Sequence, residues 1–137
     1  VMRDCLTLNP NVDICYGNTI VSTEPNEKWL ELKSKLLYPC NETDHWKDLL
    51  QNNNPHCMPM WRRSIHDRFG YFNEGYKTAS DAEMWLRVAK RGSKLQKIND
   101  TVGIYYKNKI WNLFGKRKSK KLIQNQTLQF FQEQTLR

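Results

Sequence analysis

Apolar and polar positions alternate in blocks that set out a series of short elements. Met2-Arg3-Asp4-Cys5-Leu6-Thr7-Leu8 has helical spacing and is stopped by the turn chemistry of Asn9-Pro10-Asn11. Val12-Asp13-Ile14-Cys15-Tyr16-Gly17 is β-rich and predicts a strand. Thr19-Ile20-Val21-Ser22 either pairs beside that strand or continues it after a bulge, and Glu24-Pro25-Asn26-Glu27 closes the segment. From Trp29 to Leu37 apolar residues recur at Trp29, Leu30, Leu32, Leu36 and Leu37, a partly helical pattern that predicts a helix ended by Tyr38-Pro39. A second helix is expected with Thr43 as its cap and Trp46, Leu49 and Leu50 as its apolar face, until the polar run 51–54 and Pro55. His56 to Trp61 reads as a short, extended, buried stretch.

Further along, Ile65 and Phe69 lie four apart in a predicted helix over 62–69, and Gly70 sits where a helix C-terminal glycine is favoured. Ser80-Asp81-Ala82-Glu83 has the form of a capping box, and Met84, Trp85, Leu86, Val88 and Ala89 carry the helix to Lys90-Arg91-Gly92. Glu83 also faces Arg87 at i, i+4. Lys94 to Ile98 and Thr101 to Tyr106 predict two short strands, and Lys118 to about Gln134 a terminal helix. At 137 residues, with no internal repeat or linker, the chain is expected to form one compact unit.

Charge narrows the partners. The chain carries a net +8 with a pI near 9.4, so its field favours anions: nucleotide diphosphates, phospholipid surfaces or nucleic acid. Mean hydropathy is −0.80, yet aromatics reach 12% and are spread along the chain, a composition that builds a core. No stretch approaches the roughly 18 consecutive apolar residues of a membrane span, so a cytoplasmic chain is expected, with a peripheral membrane contact as its variant. Cys5, Cys15, Cys40 and Cys57 lie far apart with no C-x-x-C pair, and free thiols are expected over a disulfide or a zinc site. His45, His56 and His66 show no ligand spacing either.

One constellation is more informative than the rest. Met60-Trp61-Arg62-Arg63-Ser64-Ile65-His66, then Phe69-Gly70-Tyr71-Phe72-Asn73-Glu74, then Ser80-Asp81-Ala82-Glu83-Met84-Trp85-Leu86-Arg87 resembles, in order and spacing, the second half of family 2 inverting glycosyltransferases of the GT-A fold. Asn9 to Asn18 is similar to the strand those enzymes place after their metal-binding acidic motif, so the resemblance runs from about Val1 to Tyr106. It implies an α/β architecture, the C-terminal part of a GT-A mixed sheet with flanking helices. Residues 1–110 would then be the acceptor-side part of a catalytic domain and 111–137 a basic helical extension.

The same resemblance implies a reaction: transfer of a glycosyl unit from a nucleotide sugar to a hydroxyl on a glycan or lipid-linked acceptor, with inversion. The aspartate at the position of Asp81 is the family's general base. Mg²⁺ or Mn²⁺ is implied for the whole enzyme, but its D-x-D motif and nucleotide-binding half would lie N-terminal to Val1, and this chain alone is expected to be inactive. Two departures stand out: Ser80 replaces the Glu that many members carry, and Tyr106-Lys107-Asn108 stands where many place an Arg and a metal-binding His.

On its own chemistry, Asp81 falls in the first turn of its helix, where the macrodipole favours a negative charge, and shares a face with Trp85 and Val88. A carboxylate kept ionised near an incoming hydroxyl is a suitable base. Otherwise Asp81 is only a helix-end charge. Trp61, Arg62 and Arg63 are the candidate substrate-binding residues, an aromatic platform with guanidinium partners for phosphate. Their alternatives are a core aromatic and a solvated helix face. The run Lys116-Arg117-Lys118-Ser119-Lys120-Lys121 points to an anionic membrane surface more than to nucleic acid, because no aromatic residue is interleaved with it. A non-enzymatic basic binding module and a glycosyltransferase scaffold without turnover are the rival readings. An exposed sheet edge, where a missing half would pack, predicts self-association.

Overall fold

The computed structural model describes residues 1–33, 36–56, 58–77 and 79–107; the expected terminal helix, the extension 111–137 and the basic run 116–121 lie outside them. The chain opens with helix α1 (Met2–Leu8) and enters the central strand β1 (Ile14–Ser22). Strands β2 (Leu37–Tyr38) and β3 (Met60–Trp61) are two-residue antiparallel partners of opposite ends of β1. Strand β4 (Leu95–Tyr106) runs parallel to β1 along its whole length, from Ile14 opposite Leu95 to Ser22 opposite Tyr106. A parallel pair needs a crossover, and the chain between supplies helices α2 (Asp48–Gln51), α3 (Ser64–Phe69) and α4 (Ser80–Lys90). Among the described residues the result is a four-stranded mixed sheet with flanking helices, an α/β arrangement as the resemblance implies.

Because β1 is the middle strand, both of its faces are covered. Ile14 and Tyr16 join Leu49, Ile65, Met84, Trp85, Leu86, Val88 and Leu95 in the main core beneath α2, α3 and α4. Cys15 turns to the other face, where Leu6 and Val12 pack beneath α1. Each fully buried large apolar side chain contributes roughly 1.5–3 kcal/mol, so α4, with four buried apolar residues, is the best-anchored helix. The two predicted C-terminal strands are one: β4 runs straight through Asn99-Asp100, and the mismatch is absorbed by register shifts against Gly17, Asn18 and Thr19. Gly17 is what the close approach demands, since a Cβ there would lie 2.8 Å from Asp100 O and from Val102 Cγ1. Thus 14–17 and 19–22 form one strand continued past an irregularity.

Other expectations fail for local reasons. Among the described residues of 29–37 the helical part is only a 3-10 turn at Trp29–Glu31, Leu37 enters β2, and Leu30 and Leu36 are exposed. Their spacing never closes into a face that the sheet could cover. Thr43 does not cap α2: its hydroxyl meets Tyr16 Oη at 2.8 Å, while the Asp48 carboxylate accepts the amides of Asp44 and His45. Ser80 does not cap α4, whose N-cap is Ala79, so the capping box does not form. Gly70 does adopt the left-handed backbone expected after α3, at φ 83°. Cys5, Cys15 and Cys40 are free thiols, and burial pushes the Cys15 thiol up to about 12. Among the described residues no helix is long and apolar enough to cross a membrane.

Candidate functional site around Asp81

Asp81 and Glu83 stand two residues apart in the first turn of α4 and have opposite environments. Glu83 is buried and locked: its Oε1 accepts Arg87 Nε at 2.7 Å and its Oε2 accepts a second guanidinium nitrogen at 3.2 Å. Arg87 in turn donates to Phe69 O and, at 2.8 Å, to Tyr71 O, tying α4 to the end of α3. The predicted i, i+4 pair is therefore a buried clamp. Asp81 is half-buried and forms no ion pair among the described residues; its Oδ2 accepts the side-chain N–H of Asn53 at 2.7 Å. That carboxylate keeps acceptor capacity for a further donor.

Asn53 comes from the loop after α2, a loop fixed by its neighbour. Asn54 is buried and its amide donates to Glu42 O and Thr43 Oγ1, both at 2.9 Å. Pro55 and the left-handed backbone of His56, φ 51°, then turn the chain sharply. A positive φ outside glycine is uncommon and is held in place by surrounding contacts. The His56 ring stacks on Tyr38 with centroids 4.2 Å apart and meets the edge of Tyr105 at 5.4 Å, so it joins the loop to β2 and β4. Burial lowers the His56 pKa from 6.5, an effect partly opposed by the negative charge of Asp81. Tyr38, Asn41, Asn52, Asn53 and His56 line a cleft of about 110 Å³.

The remaining sequence candidates are placed elsewhere. Trp61 is half-buried against Trp85 and Phe72, with ring centroids at 5.2 and 6.2 Å, and its indole N–H donates to His66 Nε2 at 2.9 Å. Arg62 donates to Val12 O at 2.8 Å, to Asn9 O at 3.1 Å and to Leu6 O, fastening β3 to α1 and the turn after it. Arg63 is exposed at the start of α3. Trp61 is thus tied to Asp81 only through Trp85, one turn along α4, and no hydrogen bond joins Asp81 to either arginine. Asn53, His56 and Tyr38 were not among the sequence candidates. The available signal was a polar Gln-Asn-Asn-Asn run before Pro-His, which resembles an ordinary helix stop.

Among the described residues no three His, Cys, Asp or Glu side chains gather. No family model matches the chain. A search of curated proteins likewise finds no relative.

Proposed function

We propose that this chain is the acceptor-side part of an inverting glycosyltransferase, with Asp81 as the base that takes the proton of the acceptor hydroxyl. The observation that carries the reading is the asymmetry between Asp81 and Glu83. A carboxylate used for helix stability sits as Glu83 does, buried and bidentate on an arginine. Asp81 is instead oriented by one neutral amide and left open to a hydroxyl. In the step proposed, the acceptor O–H bond breaks toward Asp81 as its oxygen bonds to the anomeric carbon, and the nucleotide diphosphate leaves with the electrons of the old C–O bond. The fixed Asn53 amide keeps the receiving oxygen's partner in place. The resemblance assigns donor and metal contacts to the nucleotide-binding half of such enzymes.

The motif resemblance described above supports the same reading. The test is sugar transfer at saturating donor by the protein that joins this segment to its nucleotide-binding half. Asp81→Asn keeps the size and removes the base, so kcat falls by ~10²–10⁴ with donor binding retained. Equal turnover by Asp81→Asn and wild type would reduce Asp81 to a helix-end charge and sink the proposal.

A further inference from the structure

We infer that the cleft lined by Tyr38, Asn41, Asn52, Asn53 and His56 seats the acceptor, and that it takes the end unit of a neutral glycan in preference to a phosphate-bearing lipid. This rests on the reading of Asp81 as a transferase base. Three observations carry it.

The first is position. Asn53 lines the cleft and also donates to Asp81, so the carboxylate, itself outside the lining, borders the cleft, and an acceptor unit seated there would direct a hydroxyl past Asn53 toward it. The second is charge. In a chain of net +8, the described residues that line this cleft include no Lys, Arg, Asp or Glu. Burial also disfavours the charged form of His56, the one lining group able to become cationic near neutral pH. A phosphate would meet no counter-charge there. Amides, by contrast, donate and accept within one group, which is what a hydroxyl requires.

The third is shape. Tyr38 has one face stacked on His56, yet is still 42% exposed, and a ring held flat in this way offers the C–H face of a pyranose a rigid dispersion surface. The cleft is well below the roughly 300 Å³ at which drug-sized sites begin, so it holds one unit and not a chain. Asn53 Oδ1 is buried without a partner, and in a folded protein such an atom calls for a donor. A small shift of the Asn53 side chain toward the cleft would bring this oxygen within reach of a ligand hydroxyl. Turning the amide over instead would set its oxygen against the Asp81 carboxylate, so the unfilled acceptor cannot be removed by a flip.

The experiment is a titration of the 137-residue chain, followed by the side-chain amide and imidazole signals in NMR spectra. The probes are the methyl glycosides of glucose, galactose, mannose and N-acetylglucosamine, and inorganic phosphate. At least one glycoside should shift the Asn41, Asn52 and Asn53 amides and the His56 ring at millimolar concentration, while phosphate leaves them in place. Tyr38→Ala should weaken that binding by roughly tenfold and Tyr38→Phe should restore it, since the ring is the contact. If none of the four glycosides moves these signals, or if phosphate moves them as strongly, the inference is overturned.

Transfer kinetics separate this claim from the one beneath it. Tyr38→Ala should raise the acceptor KM at unchanged kcat, whereas Asp81→Asn should lower kcat. Loss of turnover in Asp81→Asn with no effect of Tyr38→Ala would remove the cleft and leave the base. Glycoside binding that survives beside a harmless Asp81→Asn would do the reverse.

Discussion

Replacing Glu83 by Ala should damage the fold far more than replacing Asp81 two residues away. The Glu83 side chain is only 6% exposed and that of Arg87 15%, so solvent screens the pair weakly. Removing one partner of a buried pair typically costs ~3–5 kcal/mol, because the other charge is left without its counter-ion. Arg87 keeps two carbonyl acceptors, Phe69 O and Tyr71 O, which brings the expectation down to ~2–4 kcal/mol. For a chain of this size that is a fall in Tm of about 10 °C. Urea unfolding followed by tryptophan fluorescence measures it, since Trp85 lies in the core one turn from the clamp. A double-mutant cycle with Arg87→Met isolates the pairwise part, and Asp81→Asn should cost no more than ~1 kcal/mol in the same assay. A loss below ~1 kcal/mol for Glu83→Ala would place the pair among surface ion pairs and refute the description of α4 as clamped to α3. The same variant matters for activity, because a fall in yield with kcat intact separates it from Asp81→Asn.

Two further outcomes follow from other contacts. Arg62→Lys retains the charge but cannot reach three carbonyls from a planar fork, so stability should drop by ~1–3 kcal/mol and α1 amides should exchange faster with solvent; unchanged exchange would refute the clamp. His56 has a folded pKa below 6.5, so the unfolded chain binds the proton more readily. Stability from this residue is therefore complete above about 6.5, declines as pH falls from there toward the folded pKa, and is flat below it. Unfolding curves from pH 7.5 to 5 should show that slope in wild type and lose it in His56→Phe; an equal slope in both would show that another group governs it.

Much of this architecture could be read from residue patterns, and the failures share a cause. Helix α4 and the Gly70 stop follow from local chemistry alone, and so does the Glu83–Arg87 spacing. What spacing could not reveal was how deeply that pair is buried, because the carbonyls that hold Arg87 come from Phe69 and Tyr71, outside its own helix. The apolar run 29–37 has helical composition, but helices this short persist only when tertiary packing covers a face, and no described residue covers Leu30 or Leu36. Thr43 and Ser80 are suitable caps by type. Thr43 is diverted to Tyr16, a contact between distant segments that no local rule anticipates. Asp81 was identified from its motif, whereas its partners were not: Asn53 lies in a run that reads as a helix terminator, and Tyr38 in one that reads as a stop before proline. They meet only because β1 draws β2, β4 and the loop after α2 to one end of the sheet.

The parallel pairing of β1 with β4 also governs the order in which this chain can assemble. Ile14 acquires its neighbour only when Leu95 is present, and every helix of the main core lies in the chain between them. Closing so long a loop costs entropy before any contact across it is gained, and such topologies fold slowly for their stability. During synthesis β1 therefore emerges well before β4 and waits for this partner through most of the described length. Asn18, Thr19 and Ser22, buried in the finished sheet, interrupt the apolar run that this waiting strand would otherwise present.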